Sequence, residues 1–397
     1  MFFFFLPYRI ERSRWNVPWI TIAIIALNIA VFASTSARID AVAQSFGFTM
    51  SPGGLYTWFT SMFLHADWLH LLSNMFFLWL FGSFVEDALG RAKYLGLYIA
   101  GGLAAALLQG VITLALQPGQ VGIPMIGASG ALAAVTGLFM VRFYRTRMRI
   151  AYLIWILLFV RAGIWRPTSL VGIGLWFANE VGAGLLWAAG AGDGVARWAH
   201  VGGLLCGAAV GHFTGATRIA DTENLSDEAF AAASAGTHIE AAAKFDELAT
   251  RTDGDPDVII ARTLAHLSAG SAGPTVVTEF EQAVDELVRR GRRERLVLAT
   301  EELGGALERL PLSARTLSTM AGAADGQQRS DLAAELYWRI VGDHPQAPEA
   351  ERALFRLAHI YKAAGMVTEA EQTWVRFVEA YPASQWLPYA NQGFFKA

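Results

Sequence analysis

Residues 125–141 read MIGASGALAAVTGLFMV, an uncharged run in which glycine and alanine are interleaved with larger apolar side chains. A helix needs ~20 mostly apolar residues to cross the hydrocarbon core of a bilayer. This run is slightly short for that and rich in small residues, which suits an interior helix packed by close backbone approach. Five further apolar runs flank it, at 17–34, 58–81, 94–116, 168–187 and 198–213. The last has the same small-residue character, with Gly203, Gly207 and Gly211 forming a stripe on one face. The pattern predicts six membrane spans. A seventh run, 150–160, is too short to span and is bracketed by Arg149 and Arg161. It is expected at the interface, or as a buried hairpin with the start of the fifth helix.

Composition points the same way. The chain has 397 residues, 54% of them hydrophobic and only 16% charged, against ~25% charged in an average soluble domain. That deficit excludes a disordered or nucleic-acid-binding chain. The charge is also unevenly spread. Residues 1–217 hold 13 of the 31 Lys+Arg and 7 of the 34 Asp+Glu, so that portion is +6 and the remainder, with 18 and 27, is −9. Two different materials are joined in one chain. The single cysteine, Cys206, excludes an intramolecular disulfide and a cysteine metal cage, and is expected as a buried small residue. The first six residues are apolar and precede Arg9, Arg12 and Arg14; this reverses the order of a signal peptide, so no cleaved leader is expected.

Lys and Arg concentrate on the cytoplasmic side of membrane proteins. Here they cluster at Arg9, Arg12 and Arg14, at Arg91 and Lys93, at Arg142, Arg145, Arg147, Arg149, Arg161 and Arg166, and at Arg218. Six spans put all of these on one side, with only Arg38 and Arg197 opposite. Both termini are therefore expected in the cytoplasm, and the residence expected is the cell membrane.

The domain division expected is 1–216 for the membrane part, 217–228 for a polar linker ending in a helix N-cap at Ser226, and 229–397 for a soluble helical part. In that last part Ala333, Tyr337, Arg339, Ile340, Val341, His344 and Pro345 align with Ala370, Trp374, Arg376, Phe377, Val378, Tyr381 and Pro382. The repeat resembles the tetratricopeptide class of helix-turn-helix repeats. It implies two or three hairpins that bind a cytosolic protein or peptide.

Polar groups inside spans are costly and mark function by default. They are His65, His70 and Asn74 in the second run, Ser129 in the fourth, Glu180 in the fifth, and His200 and His212 in the sixth. The second, fourth and sixth helices all enter from the non-cytoplasmic side, which puts Ser129 and His200 at similar shallow depth. His70 and Asn74 are four apart and share a helix face. A serine needs a base to take its proton, and His200 is the nearest by depth. His70 and Asn74 can donate to a developing oxyanion. Glu180 is expected as a protonated carboxyl bonded between helices, and His212 as structural.

Three segments in order, Met62-Phe-Leu-His65-Ala-Asp-Trp-Leu-His70-Leu-Leu-Ser-Asn74-Met75, Gly127-Ala-Ser129-Gly130-Ala131 and Ala199-His200-Val-Gly-Gly203-Leu-Leu-Cys-Gly207, resemble the rhomboid intramembrane serine proteases over about residues 15 to 215. The resemblance implies a Ser129–His200 dyad without a carboxylate. It implies an oxyanion hole of His70, Asn74 and the Ser129 backbone N–H. His65 is implied as a structural hydrogen-bonder, and Gly127, Gly130, Gly203 and Gly207 as supporting residues. Two departures stand out: Tyr56-Thr57-Trp58 replaces the family's Trp-Arg pair, and Ala133 stands where some members have a tyrosine against the histidine ring.

The fold expected is all-α: a six-helix rhomboid-like bundle followed by a soluble tetratricopeptide-like repeat domain. The function expected is intramembrane endopeptidase action on transmembrane protein substrates, with the lipid bilayer as its medium and with no cofactor, metal or nucleic acid. The rivals are a catalytically silent rhomboid-like adaptor for transmembrane clients and, more distantly, a transporter using Glu180.

Overall fold

The structure is a computed structural model that describes residues 2–13, 16–50, 54–156, 159–190 and 195–390. Arg14, counted above for orientation, lies outside them, as do Leu157 and Leu158 of the seventh run. The chain divides into two compact units, Met1–Asp221 and Thr222–Ala397.

In the first unit a strand β1 (Phe2–Ile10) precedes helices α1 (Trp19–Thr35), α2 (Trp68–Leu89), α3 (Arg91–Leu116) and α4 (Ser129–Arg142). Strands β2 (Met148–Ile156) and β3 (Phe159–Trp165) follow, then α5 (Ser169–Ala188) and α6 (Arg197–Phe213). Four helical stretches among the described residues are long and apolar enough to cross a membrane: Trp19–Phe46, Trp68–Leu89, Arg91–Leu116 and Ser169–Ala188. The chain is an integral membrane protein. With 14 and 17 residues, α4 and α6 reach only about 21 and 25 Å at 1.5 Å per residue, so the expectation of six full-length spans is not met by length alone.

Helix α4 is the centre of this unit, with every residue from Gly130 to Phe139 buried. Its small residues are the reason. A Cβ added at Gly203 would strike the Gly130 carbonyl oxygen, one at Gly207 the Ala134 carbonyl oxygen, and one at Gly137 the Leu204 carbonyl oxygen. The first two pairs share one sequence offset, so α4 and α6 run parallel with their backbones in contact.

The second span begins later than expected. Asp67 caps α2, its side chain accepting from the His70 N–H at 2.8 Å, and 57–63 form short turns instead. His65 is therefore in the loop before the helix. One wide π turn, Leu78–Gly82, interrupts α2.

The chain is mostly helical, as expected, and adds to the helices one three-stranded antiparallel sheet in the order β1-β2-β3. The 150–160 run pairs with the chain's first residues, Phe2 opposite Trp155 through Ile10 opposite Met148, not with the fifth helix. Its aromatic and β-branched residues favour a strand once a partner is present. Pro7, which has no N–H to donate, adjoins the register shift on edge strand β1.

The expected 217–228 linker is helical. Helix α7 (Ala216–Ser234) runs through it unbroken, because the stretch holds no glycine or proline and buries Leu225, Ala229 and Ala232 at helical spacing. Ser226 is thus inside a helix, not at its cap. Among the described residues of the second unit, eight helices of 11–16 residues follow, from His238–Arg251 to Val367–Ala380. Consecutive helices pack on one another, more than the two or three hairpins expected. The aligned pairs Ala333/Ala370 and Ile340/Phe377 are buried alike.

Candidate active site

Helix α4 starts at Ser129, so its N–H lacks a partner within the helix and its hydroxyl sits at the helix mouth. The approach to it is pinned: Gly127 donates to the Ser61 carbonyl at 2.9 Å, and Phe48 and Met125 exchange both backbone hydrogen bonds at 2.8 and 2.9 Å. Helix α6 is fixed at its own start by Gln109 of α3, whose side-chain oxygen accepts from the Ala199 N–H at 3.2 Å. The parallel packing of α4 on α6 then joins the two starts. His200 Nε2 lies 2.9 Å from Ser129 Oγ.

The other ring nitrogen is also engaged. His200 Nδ1 lies 2.7 Å from Glu180 Oε2, and Arg197 Nη1 donates to Glu180 Oε1 at 2.9 Å. Glu180 is 4% exposed. Glu180 is thus bonded between helices, as expected, but its partners are Arg197 and a histidine expected to have no acidic neighbour. One turn earlier on α5, the Trp176 ring lies 6.0 Å from the His200 ring. Trp176 thus stands beside the His200 ring, where Ala133 offers no aromatic side chain.

His70 and Asn74 lie on one face of α2. Asn74 Nδ2 donates to the His70 carbonyl at 2.8 Å, which orients the amide and leaves its second N–H. Gly127, with φ of +130°, separates His70 from Ser129: a Cβ there would lie 2.9 Å from His70 Nε2 and 3.7 Å from Ser129 Oγ. Ser129, His200, His70, Asn74 and Trp176 all line a cavity of about 1350 Å³. Fully buried His65 stacks edge-on against His70 at 5.0 Å. Neither of its ring nitrogens meets a partner at strict hydrogen-bond geometry among the described residues, and the Phe63 backbone is the polar group its ring faces. His212 is exposed in the last turn of α6, beside Phe213.

A hydroxyl, an imidazole aligned on it and donors across a cavity form a constellation suited to acyl transfer. Residues 52–217 match the Rhomboid domain family. Three relatives agree. The chain is 32% identical over 156 residues to Rhomboid protein 1, mitochondrial, of Saccharomyces cerevisiae, covering 38% of this chain and 40% of that one. It is 41% identical over 84 residues to Rhomboid-like protein 11, chloroplastic, of Arabidopsis thaliana, covering 21% and 27%. It is 37% identical over 75 residues to Presenilin-associated rhomboid-like protein A, mitochondrial, of Danio rerio, covering 19% of each. The matched segments span less than half the length of these relatives. Together they support the rhomboid family for the membrane unit.

Within the matched segment, the sequence alone did not mark Trp176, Gln109 or the contacts of Glu180 with Arg197 and His200. One signal was available: Glu180 is the sole carboxylate in the fifth run, and Arg197 stands three residues before His200.

Proposed function

We propose that the membrane unit is an intramembrane serine endopeptidase acting on transmembrane protein substrates. The observation that carries this reading is the 2.9 Å approach of His200 Nε2 to Ser129 Oγ at the wall of a cavity that His70 and Asn74 also line. Ser129 Oγ attacks the scissile carbonyl carbon while its proton passes to His200 Nε2. The carbonyl π electrons move to oxygen, which receives hydrogen bonds from His70, Asn74 and the Ser129 N–H. Collapse breaks the C–N bond, and His200 returns the proton to the leaving amine. Water, activated by the same nitrogen, then releases the acid and restores Ser129.

A substrate helix hides its carbonyls in internal hydrogen bonds, so segments that unwind readily are the preferred substrates. The six helices α1 to α6 cross the membrane, with both termini on the side rich in arginine. The relatives' mitochondrial and chloroplastic names make an organelle membrane the rival to the cell membrane. The helices of the second unit form a tetratricopeptide-like module for a protein or peptide partner.

The purified chain in liposomes is expected to cleave a single-span reporter, and Ser129→Ala is expected to abolish cleavage with helicity unchanged. Client binding without cleavage by the wild-type chain would favour the silent adaptor instead.

A further inference from the structure

We propose that Glu180, held by Arg197, is a positioning residue that makes the pair a Ser129–His200–Glu180 triad. The proposal rests on the peptidase reading above and departs from the carboxylate-free dyad that the family resemblance implies.

A neutral imidazole carries one N–H and one lone pair. Which nitrogen holds the proton is decided by what each faces. Ser129 Oγ can donate or accept, so it decides nothing. Glu180 does. Its Oε1 accepts from the Arg197 guanidinium at 2.9 Å and its Oε2 meets His200 Nδ1 at 2.7 Å. With both oxygens accepting, the carboxylate places the proton on Nδ1 and leaves the Nε2 lone pair aimed at the serine O–H. That is the tautomer a general base requires. A carboxylic acid donating to Nδ1 would turn an Nε2–H toward Ser129 and forbid the transfer.

The surrounding elements are arranged for this contact. Arg197 and His200 are three apart on the first turn of α6, hence on one face, so both reach Glu180 from one direction. Trp176 and Glu180 are four apart on α5 and both meet the His200 ring. The side chains of Glu180, His200 and Arg197 are 5%, 15% and 18% exposed, so little water competes. When the serine proton reaches Nε2, the carboxylate balances the imidazolium charge without rearrangement.

A purely structural Glu180–Arg197 tie between helices would survive in Glu180→Gln, whose amide oxygen still accepts from Arg197. The amide N–H₂, however, would donate to Nδ1 and select the wrong tautomer. In liposomes, Glu180→Gln is therefore expected to lower kcat by about 10²- to 10⁴-fold with KM little changed, and to slow phosphonate labelling of Ser129 in proportion. Glu180→Asp should recover about tenfold or more of the kcat lost in Glu180→Gln. Independently of any change at Glu180, ¹⁵N spectra of Ser129→Ala should show His200 protonated at Nδ1. Wild-type rates in Glu180→Gln, or an Nε2-protonated His200, would overturn the triad while leaving the peptidase intact. A wild-type chain that neither cleaves nor labels would instead overturn the peptidase reading.

Discussion

Gly207 of α6 lies directly on the carbonyl oxygen of Ala134 of α4, with no room for a Cβ between them. This contact, with its neighbour Gly203 on Gly130, brings Ser129 and His200 within hydrogen-bond reach. A methyl group at Gly207 must push the helices apart. Overpacking of this kind costs about 1–3 kcal/mol, and even a small displacement separates nucleophile from base. Gly207→Ala is expected to lower the Tm in detergent and reduce cleavage at least about tenfold. Gly182→Ala, on the same unit but facing open space, should change neither.

Gly127 supplies a second test, through geometry and not packing. Its φ of +130° is strained for any residue with a side chain, and its missing Cβ is the gap between His70 and Ser129. Gly127→Ala is expected to reduce kcat by about 100-fold while leaving helical content unchanged. Circular dichroism alongside single-turnover cleavage separates the two effects.

The bundle was legible because its signals are local. Uncharged runs marked the helices, small residues marked the close packing of α4 on α6, and the few polar groups marked the candidate site. The sheet was not, because the 148–156 strand pairs with residues 2–10, a partner that no local window contains. The apolar run 150–160 cannot declare itself strand or helix without that partner. Glu180 was visible as an intramembrane carboxylate, but its contact with His200 depends on how α5 turns against α6. Residues 217–228 looked like a linker by polarity, whereas they continue into a helix, Ala216–Ser234, that buries Leu225, Ala229 and Ala232.

His70 and Asn74 should matter in the transition state more than in binding. Each lines the cavity beside Ser129, where the proposed oxyanion would form. His70→Ala or Asn74→Ala is expected to lower kcat by about 10²- to 10³-fold, with KM within about threefold of wild type. Equal losses in KM instead would assign them to substrate binding. Steady-state kinetics on one reporter decides this.

The second unit carries a pH dependence of its own. Burial, together with Arg356 and Lys362, holds His359 below its ordinary value of 6.5, against the opposing hydrogen bond to the Phe355 carbonyl. The unfolded chain therefore takes up this proton first. The stabilising effect of neutral His359 is complete above pH 6.5 and declines as pH falls below it. Hydrogen exchange across 348–363, corrected for intrinsic rates, should speed up below pH 6.5 in the full chain. The pH effect should vanish in His359→Leu.

The most direct measurement is mass spectrometric mapping of the adduct left by a serine-directed phosphonate on the folded protein in liposomes. One adduct on Ser129, lost in His200→Ala, is the expected result. A folded wild-type chain that carries no adduct on Ser129, or carries it equally without His200, would contradict an activated serine at the head of α4.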